Sequence, residues 1–197
     1  MRKPKNREEW LTECIAKVRP MFEDQGRPIP EKVRASCSWP SQGGLAQKQK
    51  RIGEAWSSKC SGDGTFEVFI SPVLMESAEV AAVLVHELVH CAVGLKCGHN
   101  GPFRKLALAV GLEGKMTATT AGEELAGRLE RIVAKLGEYP HSKLKHSNAP
   151  KKQSTRMKKV ECDNCGCIVR MTRKWLEEVG CPTCACGGAM KEEEGDD

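Results

Sequence analysis

The stretch HELVHCAVGLKCGHNGPF, residues 86–103, decides how the rest of the chain is read. On an α-helix, residues four apart lie on one face a turn apart, so His86 and His90 can offer two imidazole nitrogens to one ion. Glu87, directly after the first histidine, can reach a water in an open coordination position without binding the metal itself. Zinc at such a site takes a third protein ligand. His99 is the leading candidate, because Gly94 releases the chain from the helix and Gly98 and Gly101 give the backbone freedom to return. Glu113 is a rival, since a carboxylate can fill the third position; Cys91 and Cys97 are near, but Cys91 follows His90 and points away around the helix. The bland reading is an apolar core helix holding one hydrogen-bonded histidine. Against it, His86, Glu87 and His90 would put three polar groups into an apolar segment with nothing to pair them.

Working outward, residues 76–93 form a long apolar helix that Gly94 stops. A second helix is expected from Pro102, where proline suits the first helical position, to about Val110. Gly111, Gly114 and KMTAT read as a loop. The sequence TAGE, Thr120 to Glu123, fits a capping box before a helix marked by Leu125, Leu129, Ile132, Val133 and Leu136, which closes the first domain near Gly137. Upstream, Trp10, Leu11, Cys14, Ile15, Val18 and Phe22 recur at helical spacing within residues 7–25, and Pro20 is expected to end or kink that helix. Segments 33–40, 47–58 and 65–72 are bounded by turn residues, the last with Phe66, Val68 and Ile70 on one face, and predict a small antiparallel sheet.

The C-terminal region carries a second constellation. Six of eleven cysteines fall within the last 36 residues, in VECDNCGCIVRMTRKWLEEVGCPTCACGG. An odd count clustered at short spacing, in a chain whose N-terminus predicts no secretory signal, points to metal rather than to disulfides. Cys162 and Cys165 form the first pair. For the second, the C-x2-C spacing favours Cys181 with Cys184, whereas the glycine that follows the last ligand of each turn, Gly166 and Gly187, favours Cys184 with Cys186. The expected structural zinc set is therefore Cys162, Cys165, Cys184 and Cys186, with Cys181 the alternative fourth ligand and Cys167 a spare thiol. Such a site supplies folding energy to a module too small for its own core. Between the pairs, Arg170, Arg173 and Lys174 beside Trp175 can meet phosphate and stack on a base.

Charge supports the same partner. The chain has a net charge of +5, and between Pro140 and Val160 there are seven lysines and arginines and no acid, a nucleic-acid footprint or simply a solvated linker; His141 and His146 in this run are expected only to face water. With 40% hydrophobic and 29% charged residues and no apolar run long enough to span a bilayer, an intracellular, cytoplasmic protein is expected. The expected domains are 1–139, a basic linker 140–158, a ribbon 159–190 and an acidic tail 191–197.

A helix bearing HELVH, then GHNGPF leading into another helix, preceded by a helix and small sheet and followed by a cysteine ribbon, resembles the SprT-like zinc metalloprotease family. The resemblance covers about residues 8–188 and is most specific at His86, Glu87, His90 and His99. It implies an α+β zincin-like fold, one catalytic zinc on the three histidines, Glu87 as base and a protein substrate; some members cleave proteins crosslinked to DNA, which the basic linker would suit, DNA being favoured over RNA. The alternative is a non-catalytic zinc-binding adaptor associated with nucleic acid or transcription.

Overall fold

A computed structural model of the chain describes residues 3–44, 50–145 and 157–192. It is a mixed α+β protein with five α-helices and three small sheets among the described residues, divided into two units at Asn148/Ala149. No helix among them is long and apolar enough to cross a membrane.

Helix α1, Arg7–Glu23, begins where the Asn6 side chain accepts the backbone N–H of Glu9 at 2.8 Å. Trp10, Leu11, Cys14, Ile15, Val18, Met21 and Phe22 form its buried stripe. Pro20 does not end it: a proline in the last turn forgoes one backbone bond, and its own carbonyl still accepts from Asp24 at 2.9 Å. Arg19 then ties down the exit by donating to the carbonyls of Ile29 and Pro30 at 2.9 and 3.0 Å.

Strands β1 (Val33–Cys37), β2 (Gly53–Trp56) and β3 (Phe66–Ile70) form one sheet in the order β1-β3-β2. The expected antiparallel sheet is in fact mixed. The connection after β1 carries the chain to the far edge, so β3 returns between the other two, parallel to β1 and antiparallel to β2. β2 is thereby an edge strand.

Against this sheet lies helix α2, Ser77–Val93, which buries Val80, Ala81, Leu84, Val85, Leu88 and Val89 and ends at Gly94, whose φ of 86° favours glycine. Helix α3, Gly101–Ala109, follows with Pro102 in its first turn, as expected. The expected loop after it is instead a hairpin: β4 (Leu112–Lys115) pairs antiparallel with β5 (Ala118–Ala121) around a two-residue turn. The capping box is also absent, because Thr120 belongs to β5. Helix α4, Glu123–Leu136, starts at Gly122 with no side-chain cap, and a side chain there would run into the Glu113 carboxylate.

The segment after α4 belongs to the first core. Tyr139 is buried and packs edge-on against Trp10, with ring centroids 5.1 Å apart, while the Trp10 indole donates to the Gly137 carbonyl at 2.8 Å. His141 is not a solvated linker residue: its Nε2 lies 2.9 Å from the Pro72 carbonyl, and the Leu144 backbone N–H donates to the same oxygen at 2.8 Å. His146, three of the seven basic residues of the run (Lys151, Lys152 and Arg156) and most of the acidic tail lie outside the described residues.

The second unit contains β6 (Lys158–Cys162), β7 (Ile168–Met171), helix α5 (Arg173–Val179) and β8 (Met190–Glu192), with both outer strands antiparallel to β6. Its buried core is Val160, Cys162, Cys184 and Met190, too small to stand without a cross-link.

Candidate metal centres

The fold brings His86, His90 and His99 together. His90 Nε2 lies 3.2 Å from His99 Nε2, which lies 3.3 Å from His86 Nε2. A tetrahedral ion with bonds of about 2.0 to 2.1 Å holds its ligand atoms about 3.3 Å apart, so this spacing suits a small divalent cation. Hydrogen bonds alone do not account for it, because each neutral imidazole carries a single N–H. Nor do the rings carry charge at neutral pH: burial and the neighbouring histidines push His90 down to about 3, burial and His99 push His86 down to about 4, and burial lowers His99.

Several side chains hold this trio in register. Phe103, fully buried at the first turn of α3, packs against all three imidazoles, with centroids 4.9, 4.3 and 4.9 Å away. Thr119 Oγ1, on β5, sits 2.8 Å from His86 Nδ1. An Nδ1–H donated to that hydroxyl leaves Nε2 with the lone pair a metal needs. The sequence reading missed Thr119, since it treated the hairpin as a loop; Phe103 was legible only as part of the motif.

Glu87 faces the same cleft yet is only 6% exposed. Burial pushes its carboxyl up to about 8, against the lowering influence of the Arg51 charge and a hydrogen bond from the Ala55 backbone. The carboxylate packs so closely on β2 that a Cβ at Gly53 would overlap it. Glu87 therefore owes its place to a residue without a side chain, on the edge strand opposite.

The cleft above these groups has a volume of about 370 Å³. It is lined by residues 50–55, by side chains of α2 with His99, and by Thr117, Ala118 and Thr119. Within it Glu54, only 9% exposed, is fully engaged: Oε1 accepts from the Ser41 hydroxyl at 2.8 Å and Arg51 Nη1 at 2.7 Å, and Oε2 from the Ser41 backbone at 2.8 Å and the Trp56 indole at 2.9 Å. Burial alone would raise this carboxyl, but the four donors together leave it lowered. The rival ligand Glu113 sits on β4 against Gly122 and is not in the histidine group; neither Cys91 nor Cys97 joins it.

In the second unit Cys162, Cys165, Cys184 and Cys186 converge. Cys162 and Cys186 sulfurs are 3.5 Å apart, as are Cys165 and Cys184, and Cys184 and Cys186. Four thiolates around an ion with bonds of about 2.3 Å stand about 3.8 Å apart, close to what is found. Cys181, the alternative that C-x2-C spacing offered, is exposed and outside this group, as is Cys167. Each pair is followed by a glycine in the left-handed region, Gly166 and Gly187 with φ of 69° and 79°, whose N–H groups donate to the Cys162 and Cys184 carbonyls at 2.9 Å and close turns of different length. The Gly188 N–H, with hydrogen bonds from the neighbouring sulfurs, lowers Cys186, while the same sulfur contacts raise Cys184, so the cluster shares its protons. Arg170, Arg173, Lys174 and Trp175 are all exposed, Trp175 with 51% of its surface accessible.

Each of the two clusters can hold a metal ion, one with three nitrogens beside an accessible cleft and one closed by four sulfurs. Compared with models of known protein families, with curated proteins and with solved structures, the chain matches none.

Proposed function

We propose that the chain is a single-zinc metallopeptidase of the SprT-like, zincin kind, carrying a structural zinc ribbon. The observation that supports this most is the convergence of three neutral imidazole nitrogens at 3.2 and 3.3 Å with a buried glutamate beside them on an open cleft. A purely structural site would close its fourth position with a protein ligand, as the four cysteines do in the ribbon.

His86, His90 and His99 would hold the catalytic ion through Nε2. When bound, zinc supplies a Lewis acid that acidifies water and polarises a carbonyl. Edge strand β2 lines the cleft, and an extended peptide laid along it would present its scissile bond to the three histidines. Glu87 then takes the proton of the attacking water at its carboxylate and delivers it to the amine nitrogen as the C–N bond breaks. Its burial, which raises its proton affinity toward neutrality, suits both halves of that transfer.

The ribbon adds a nucleic-acid contact, DNA in preference to RNA. Lys174 Nζ lies 5.5 Å from the ring of the exposed Trp175, a cation and a stacking face offered together. Substrates on this reading are proteins held on DNA. The decisive assay is hydrolysis of an unstructured protein such as casein, free and mixed with DNA, by wild type and Glu87→Gln. Cleavage by wild type alone, with equal metal in both, supports the peptidase. Salt-sensitive DNA binding with no cleavage by either protein would favour the adaptor.

A further inference from the structure

Hydrolysis through Glu87 requires a donor for the carbonyl oxygen as it gains negative charge. Of the polar side chains that line the cleft, which also include Lys50 and Thr117, the Thr119 hydroxyl is engaged with His86, and Glu54 accepts from four donors. Arg51 is different. Its backbone is fixed by a bond from its N–H to the Gly43 carbonyl at 3.2 Å, and its guanidinium is fixed by Nη1 on Glu54 at 2.7 Å. A guanidinium carries five N–H donors, and Glu54 takes one. Its side chain is 49% exposed while that of Glu54 is 10%, so a rigid buried carboxylate holds a cation whose other donors are accessible.

We propose that Arg51, clamped by Glu54, is an anion seat beside the three histidines, and that in the peptidase reading, on which this role rests, it holds the carbonyl oxygen as that oxygen becomes negative. The water oxygen bonds to the carbonyl carbon and the π pair moves to the oxygen, where Arg51 N–H groups meet it. On collapse that pair re-forms the C=O bond, the C–N bond breaks, and Glu87 passes the water proton to the nitrogen. Glu54 is a positioning residue, since it acts through Arg51.

The test uses the full chain loaded with cobalt(II) and titrated with inorganic phosphate, a tetrahedral anion, followed by the change in the visible spectrum of the histidine-bound ion. Hydrolysis of a protein substrate by the zinc form is measured in parallel. Arg51→Met is expected to weaken phosphate at least about tenfold and to lower kcat by about 10² to 10³ with little change in KM, while Arg51→Lys and Glu54→Gln fall between. Unchanged metal content and thermal midpoint in Arg51→Lys show that the fold is intact. If phosphate binding depends on Arg51 but wild type cleaves nothing, the peptidase reading falls and the anion seat stands. Phosphate that fails to bind wild type, or binds Arg51→Met equally well, overturns the seat whether or not peptide is cleaved.

Discussion

The Gly53→Ala substitution adds one methyl group to the edge strand at the point where it faces Glu87. Its Cβ would stand 2.8 Å from Val83 Cγ1 and 3.0 Å from Glu87 Cδ, and would overlap the nearer carboxylate oxygen. Carbon atoms rest about 3.5 to 4.0 Å apart, so either β2 or Glu87 must yield by roughly 1 Å. Val83 and Glu87 belong to the helix that forms the centre of the core, which leaves little room to give. Overpacking of this kind costs about 1 to 3 kcal/mol. For a chain of this size that is a fall of roughly 2 to 12 °C in Tm. Displacing a catalytic group by about 1 Å costs on the order of 10² in turnover. Thermal unfolding, metal analysis and hydrolysis of casein would be measured on Gly53→Ala beside Gly62→Ala, whose added methyl meets nothing within 4 Å. The histidine site should keep its metal, since none of its ligands is touched. A Gly53→Ala protein with wild-type Tm and wild-type turnover would refute the packing of Glu87 on β2.

Further outcomes follow from the same geometry. Glu87→Gln keeps shape and metal but should lower kcat by about 10² to 10⁴, checked with the same casein assay. Thr119→Val removes the hydroxyl beside His86 and should weaken metal at the histidine site about 10- to 100-fold, read by competition with a chelator, with the ribbon metal unaffected. In metal-stripped protein, His86 and His90 titrate near 4 and 3 when folded and near 6.5 when unfolded. Below pH 6.5 the unfolded chain therefore binds more protons, and their contribution, fully present above that pH, is lost as pH falls toward 3. Urea unfolding across this range should show that loss, and a His86→Asn/His90→Asn variant should flatten it.

The two side-chain clusters were legible because their logic is local. A helix fixes residues i and i+4 on one face whatever surrounds it, and the glycines at 94 and 98 have φ of 86° and 52°, so the turn that returns His99 is written into the chain. The same holds for Gly166 and Gly187, which picked out Cys186 where regular spacing picked Cys181. What was hidden is non-local. Nothing in residues 33–70 states that β3 inserts between its predecessors, because strand direction depends on the path of the connection rather than on alternation. Strands β4 and β5 have four residues each, one with a glycine inside, too short for a period-two signal, and the contact of Thr119 with His86 was lost with them. Gly53 drew no notice inside the 47–58 segment, since a close approach from another element leaves no mark on its own segment. His141 sat in a lysine-rich run and was read by that composition, whereas its carbonyl partner, Pro72, is far away in sequence.

The most direct measurement is the zinc content of the purified chain, wild type beside His99→Ala and a Cys162→Ser/Cys165→Ser double variant. Two ions per chain are expected, with the histidine-site ion lost in the first variant and the ribbon ion in the second. One ion, lost only when the cysteines are changed, would contradict a metal centre on His86, His90 and His99 and leave their helix as core.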